Sequence, residues 1–500
     1  MRFGSAFLSL LVLCYTAIVV DADLISRLQG VSGRFTFTYP GLANYSAAVS
    51  PFNLRYSYQP AAVTYVNSVQ QVSEVVKIGY DLGYNVVARA GGHSYAAGGL
   101  GGKNGSIVVD LYSLATMGTS GDGAIADITT GFKLGTIAGN LWDQRRALPH
   151  GTCPYVGWGG HVATGGYGFT SRLWGMAHDR VTSTQIVLAN GTIATASKDV
   201  NPDLFFAVRG AASSFGIVTK TTLLTLPVPN STTTYEYGWN LNINDATTAF
   251  QSYQSFSLSN PTPPELGIEL LLAKGSSKGT VTFMLSGVWY GAAGGLDTAI
   301  KPLLDIIPQK PVWSNKKVGT YLDSLKSLAG GSLSVTAPDT HDTFYAKSLI
   351  TPNDSTKQVL APAQKEFMTY LANTGFDSKL EWFIQIGLMG GKNSAVNSIP
   401  SADTAFPHRN VLHLWQLYAY TPNSAPPFPA NGFAFVDGMT DAILRNQPAD
   451  WDYGAYTNYI DDRLANAEQL YFKQNLPRLK QLKAKYDPKG VFSVPGGVKA

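Results

Sequence analysis

Cys153 stands in the run Pro149-His150-Gly151-Thr152-Cys153-Pro154-Tyr155-Val156-Gly157-Trp158-Gly159-Gly160-His161, and Cys14 is the only other cysteine. Arg2 followed by the apolar run Phe7 to Val20 has the pattern of a secretory leader, with Ala17 and Ala22 permitting cleavage near residue 22. Removing that leader takes Cys14 away and leaves Cys153 without a partner in an oxidising compartment. The sulfur then needs another occupant. A second nucleophile, His93, lies in another glycine-rich turn, Arg89-Ala90-Gly91-Gly92-His93-Ser94-Tyr95. Imidazole and thiolate are good nucleophiles, so the pair could hold an electrophilic group covalently. Taken singly, a buried structural thiol and a turn histidine are the commoner fates of such residues.

Three glycine clusters, at 91–92, 157–168 and 210–216, supply backbone amides able to approach a pyrophosphate closely. None is a Gly-x-Gly-x-x-Gly between strand and helix with an acid about 20 residues later, so an ordinary Rossmann site is not indicated. The first cluster follows a strand-helix-strand unit. Val63 to Val66 is a short β-branched run. Val69, Val72, Val75, Val76 and Leu82 fall at helical spacing before Gly83, and 85–90 reads as a buried strand. Strands at 107–111 and 126–130 and a helix over 134–144 lead to the cysteine run. The strand 184–188 meets Asn190-Gly191, the strongest hairpin signal in the chain.

A formal charge of +4 over 500 residues, with no basic block, makes nucleic acid an unsuitable partner. After the leader no segment reaches the ~20 continuous apolar residues of a spanning helix, so a soluble, exported chain is expected. Sequons at Asn44, Asn104, Asn190, Asn230 and Asn353 are compatible with glycosylation. The histidines show no HExxH spacing and no metal site is expected; the absence of a Gly-x-Ser-x-Gly elbow removes support for a hydrolase. The length suits at least two domains. A boundary falls at Pro227-Val228-Pro229-Asn230; beyond it, strands such as 280–285 and 382–386 alternate with helical stretches, as in a second α+β domain. The tail carries a helix expected from about Ala465 to Tyr486.

The runs around His93 and Cys153, with the continuation Val162-Ala163-Thr164-Gly165-Gly166-Tyr167-Gly168-Phe169 and Phe215-Gly216-Ile217-Val218-Thr219, closely resemble the berberine-bridge-enzyme-like FAD-linked oxidases, above all their fungal oligosaccharide-oxidase branch. The likeness extends through Gly390-Gly391-Lys392-Asn393-Ser394-Ala395, Leu414-Trp415-Gln416-Leu417-Tyr418, Asn458-Tyr459 and Lys485-Tyr486-Asp487-Pro488. It implies an α+β fold of the vanillyl-alcohol-oxidase type. A two-part FAD-binding domain (23–228 and 446–500, after a leader over 1–22) would carry an inserted α+β substrate domain over an antiparallel sheet (229–445).

The same resemblance implies FAD bonded through both His93 and Cys153, with Arg89, Gly91, Gly92, Ser94, Gly157, Gly160, His161, Gly216 and Val218 also at the cofactor. It places Tyr95, Tyr167, Phe383, Gln385 and Gln416 in a carbohydrate groove, where aromatic faces stack on sugars and amides bind hydroxyls. Tyr459 becomes the base that takes a sugar hydroxyl proton, a role that requires cations or hydrogen-bond donors to stabilise its phenolate. Val156 fits the small residue that accompanies access of molecular oxygen. Relatives carry an acid two residues after the glutamine of the Trp-Phe-Ile-Gln strand, where this chain has Gly387; either Asp461 or Asp462 substitutes, or the base works without an acid. Glu269 would accept a hydrogen bond from a sugar hydroxyl or repel an anionic sugar, unless it is simply an exposed strand acid.

The activity implied is oxidation of the reducing-end C1 hydroxyl of an oligosaccharide, with molecular oxygen reduced to hydrogen peroxide, by a monomer. Three alternatives stay open: a secondary-metabolite oxidase of the same fold, a carbohydrate dehydrogenase using another acceptor, and a secreted protein that binds flavin or carbohydrate without turnover.

Overall fold

The computed structural model describes residues 21–259 and 262–499. Residues 1–20 of the expected leader, Cys14 among them, lie outside the described residues. Three larger sheets organise the chain. The first has four strands in the order Thr36–Thr38, Ala62–Tyr65, Ile107–Asp110, Val86–Arg89; the last three run parallel. The helix Val69–Leu82 makes the crossover a parallel pair needs. Its ends follow from chemistry: the Ser68 hydroxyl caps the Gln71 N–H, and Gly83 closes it at φ 76.

The second sheet has five antiparallel strands, in the order Met117–Thr119, Ile125–Thr129, Ile217–Leu224, Val181–Val187, Ile193–Ser197. Its last pair is the hairpin expected at Asn190-Gly191. The third sheet draws its strands from residues 232–420. Seven antiparallel strands run in the order Trp313–Gly319, Thr232–Asn242, Thr280–Trp289, Leu266–Lys274, Glu381–Leu388, Val411–Tyr420, Phe344–Pro352.

Period-two alternation assigns the faces of that sheet. In Glu381–Leu388, Trp382, Ile384, Ile386 and Leu388 are buried against the helices Ile243–Leu258, Ala361–Tyr370 and Ala430–Leu444. Phe383, Gln385 and Gly387 therefore point the other way. Register puts Gln416 and Tyr418 on that second face, opposite Gln385 and Phe383, and Glu269 opposite Gly387.

The tail returns to the first two sheets. The expected single helix over 465–486 is two, Ala467–Phe472 and Leu476–Tyr486, because Lys473 adopts φ 45 and the chain restarts with Pro477 in the first turn, where a missing N–H costs nothing. Buried Lys483 bonds Asp487 at 2.6 Å and the carbonyls of Ser214 and Phe492 at 2.8 Å. Asp487 in turn accepts the Val491 and Phe492 N–H groups, and the Val491 carbonyl accepts from Val86 N–H. This buried pair welds the tail to both N-terminal sheets.

Candidate active site

A cavity of about 550 Å³ lies where the glycine-rich segments, the second face of the seven-stranded sheet and the tail meet. One wall is bare backbone. A Cβ on Gly91 would lie 2.3 Å from the Gly157 nitrogen, and one on Gly157 2.0 Å from the Gly91 nitrogen, so the two turns touch through their main chains. Gly92 follows at φ 76. Gly160 has nothing within 4 Å of where a side chain would start. Such a wall admits an extended ligand against peptide rather than side chain.

His93 and Cys153 both line this cavity, 60 residues apart in sequence (153 − 93). The His93 ring stacks on Phe52, centroids 4.2 Å apart and planes at 20°. Its Nε2 hydrogen-bonds the Asp339 carboxylate. A proton held on Nε2 leaves the lone pair on Nδ1, the nitrogen free to bond elsewhere. Cys153 is open to the cavity's solvent, yet the surrounding walls desolvate its sulfur enough to raise the thiol pKa, offset by the Tyr155 and Val156 N–H groups. His161 is buried, accepts the Gly151 N–H at 3.1 Å on Nε2, and is driven down to about 3 by burial. It is a neutral acceptor.

Every cofactor-side residue singled out from the sequence lines the cavity, as do Tyr95, Tyr167, Phe383, Gln385, Gln416, Val156 and Tyr459. Two departures concern what these residues do. The Arg89 guanidinium is committed to Asp110 at 2.7 Å and to the Ala48 carbonyl, which makes it a strut between strands. Glu269 is not among the cavity-lining residues; its Oε1 takes a hydrogen bond from cavity-lining Gln385 Nε2 at 2.8 Å, and it is half-buried rather than a freely exposed strand acid.

Tyr459 stacks on Tyr95, centroids 5.7 Å apart at 13°, and meets the edge of Tyr456 at 5.2 Å. Tyr95 is fixed by Gln416, whose Nε2 donates to its hydroxyl at 2.5 Å. Burial drives the Tyr459 phenol well above its ordinary pKa, and Tyr95, Tyr456 and Glu269 add to the rise. The expected stabilising cation is absent from its surroundings among the described residues; Tyr459 rests as a neutral phenol. Neither proposed substitute acid serves it. Asp461 is engaged by the Tyr345 hydroxyl at 2.9 Å and by Lys347 at 3.0 Å, and Asp462 by Arg55 at 2.6 Å.

Asp339, Phe52 and Asp342, which accepts from the Tyr418 hydroxyl at 2.7 Å, escaped sequence reasoning. The signal was thin: an acidic cluster, Asp339-Thr340-His341-Asp342, in a segment otherwise rich in serine, threonine and glycine.

Two family models match the chain: "FAD binding domain" over residues 60–197 and "Berberine and berberine like" over 455–499. The chain is 36% identical to a xylooligosaccharide oxidase of Thermothelomyces thermophilus, covering 90% of this chain and 89% of that protein. It is 34% identical to a chitooligosaccharide oxidase of Gibberella zeae, covering 90% and 89%. Among solved structures, an Acremonium strictum glucooligosaccharide oxidase described as having 6-S-cysteinyl, 8α-N1-histidyl FAD superposes with a TM-score of 0.87 at 31% identity, covering 95% of this chain and 99% of that one. A xylooligosaccharide oxidase from Myceliophthora thermophila in complex with xylobiose also gives 0.87, at 33% identity, covering 96% and 99%.

Proposed function

The chain belongs to the berberine-bridge-like FAD-linked oxidases, in their oligosaccharide-oxidase branch, and we propose that it oxidises the reducing-end C1 hydroxyl of an oligosaccharide to the lactone. One observation carries the reading: His93 and Cys153 face the same cavity as Tyr459 and the aromatic-and-amide face of the seven-stranded sheet. The donor set fits FAD. The bare wall at Gly91, Gly157 and Gly160 would receive its long nucleotide portion, and His93 (through Nδ1) and Cys153 (through sulfur) would hold it covalently. When bound, FAD would supply an acceptor for the hydride on C1 and a source of electrons for reducing molecular oxygen to hydrogen peroxide.

The protein's own part is binding, orientation and proton handling. Tyr95, Phe383 and Tyr418 present rings to sugar C–H faces, and Gln385 and Gln416 present amides to hydroxyls. Phe383 and Tyr418 stack on each other at 4.9 Å and 15°, forming a continuous platform. Tyr459 takes the C1 hydroxyl proton at Oη. Val156, small and on the cavity wall, leaves room for oxygen. The leader pattern and the exposed sequons at Asn44, Asn104, Asn190 and Asn230 support a secreted glycoprotein.

The test is direct. Purified protein incubated with cello-, xylo- and chito-oligosaccharides yields peroxide and aldonic acid from at least one series; silence on all three removes the reading. Acid precipitation of the holoenzyme leaves a yellow pellet, whereas a yellow supernatant excludes the covalent links. Intact mass before and after deglycosylation reports on the sequons.

A further inference from the structure

We propose that the open face of the seven-stranded sheet carries a distal carbohydrate subsite, with Trp313 as its aromatic platform, for the far end of an oligosaccharide whose reducing end lies in the cavity. This deepens the oligosaccharide-oxidase reading and rests on it. Residues paired directly across antiparallel strands point to the same face of a sheet. One register row, without a shift, runs from Gln416 through Gln385, Leu271, Met284 and Gly238 to Trp313. It begins with two amides that line the cavity and ends on the edge strand Trp313–Gly319. From Gln385 to Trp313 is four strand spacings, roughly 19 Å. The wall that would seat the reacting sugar thus continues, on the same face, to the sheet's edge.

The far end of that row is furnished for a sugar. Of the nine tryptophans, Trp313 alone is exposed, at 44%. A Cβ on Gly238 would lie 2.0 Å from the Trp313 ring, so the indole rests on bare glycine backbone and any larger residue at 238 would displace it. An indole held in place yet left in water offers an apolar surface to a partner. Its flanks are polar. Glu236 and Asn240 stand two residues either side of Gly238, hence on its face, and Asn315 pairs with Glu236; all three are exposed. The Asn240 Oδ1 accepts the Ser276 N–H at 2.9 Å, which leaves its amide N–H groups to donate elsewhere. A ring for the C–H face of a sugar, with a carboxylate and amides around it for the hydroxyls, repeats the chemistry of the cavity's own sheet wall.

The ground between the two ends is open. Leu271 and Met284 on the row, and Ala273 and Thr282 beside it, are only half-buried, while the helices Ile243–Leu258, Ala361–Tyr370 and Ala430–Leu444 pack on the opposite face. Twist of roughly 20–25° per strand turns this face through about a quarter of a circle along the row. A saccharide chain follows such a winding surface by rotation about its glycosidic bonds; a rigid flat ligand does not. The rival occupant is a second copy adding to the edge strand. Lys316 and Lys317 stand in the middle of that strand, and charges there oppose strand addition. Continuity with the cavity and the polar flanks of the indole favour the saccharide.

The test sets disaccharide against hexasaccharide, in each of the xylo-, cello- and chito-series, with FAD-loaded native, Trp313→Ala and Trp313→Phe enzymes. In the series the native enzyme oxidises, its KM for the hexasaccharide is about tenfold below that for the disaccharide at similar kcat, because a contact far from C1 is made equally in ground and transition states. Trp313→Ala removes that advantage and leaves disaccharide kinetics native; Trp313→Phe keeps most of it. Borohydride-reduced hexasaccharide, which has no C1 hemiacetal to oxidise, binds the native enzyme about tenfold more tightly than Trp313→Ala in titration calorimetry. Equal native KM for both lengths, or a Trp313→Ala enzyme with the native hexasaccharide KM, overturns the proposal and leaves the oxidase reading standing. A dimer seen by sedimentation and lost in Trp313→Ala assigns the indole to a second copy and overturns it too. A native enzyme inert to every saccharide overturns the oligosaccharide-oxidase reading itself, and the proposal falls with it.

Discussion

The two walls of the cavity are built on opposite principles. The glycine wall joins two short runs, each legible by itself, at the bare backbones of Gly91 and Gly157, and asks only that no side chain intervene. The sheet wall is non-local. Gln416 fixes Tyr95 across 321 residues, and Gln385 bonds Glu269 across 116. The first wall suits an extended ligand laid against main chain; the second presents the rings and amides that the proposed function assigns to a sugar. A motif can therefore announce the cofactor long before anything announces the reaction.

This division can be broken at either wall. The largest effect is expected at Tyr459, where Tyr459→Phe lowers the rate of sugar-driven flavin bleaching about 10²–10⁴-fold while leaving the flavin bound after denaturation. Loss of covalent flavin in that variant would erase the separation of the two walls. Next, Asp487→Ala leaves Lys483 charged, buried and unpaired; roughly 3–5 kcal/mol of stability is lost, read from denaturant unfolding, and the tail carrying Tyr459 detaches first. Asp339→Ala removes a charge-assisted bond of about 1.5–3 kcal/mol that fixes the His93 tautomer, so the histidyl link forms roughly 10–100-fold more slowly while the cysteinyl link survives; peptide mass mapping distinguishes them. Gln416→Ala frees Tyr95 and raises KM about tenfold with less change in kcat, the outcome of losing one net hydrogen bond of about 1.4 kcal/mol. Smallest is a pH effect. Because burial raises the Cys153 thiol, the thiolate fraction is low at neutrality and grows as pH rises; formation of the cysteinyl link during loading of apoprotein speeds up with pH, and a flat profile would contradict this.

Legibility followed the same division. The helix Val69–Leu82, its closing Gly83 and the hairpin at Asn190-Gly191 were readable because periodicity, a closing glycine and a tight turn pair act over a few residues; the Ser68 cap shows only in the structure. Glu269 was visible as a strand acid, but only the register with Gly387 shows that Tyr167 fills the space between. The long C-terminal helix was misread because helical spacing continues through Lys473 while the backbone turns there. Asp339 comes from a segment with no periodic signal at all, 246 residues from the histidine it orients.

The weld of Lys483 to Asp487 has a consequence for how the protein comes into being. Tyr459 arrives on the segment that this weld anchors, and Val491 closes onto Val86 from the far end of the chain. During synthesis the glycine turns emerge long before the tail that carries Tyr459. A polypeptide lacking that tail would also lack Phe492, Val494 and Pro495, which line the cavity beside the glycine turns, so the cavity is completed only when the tail has docked.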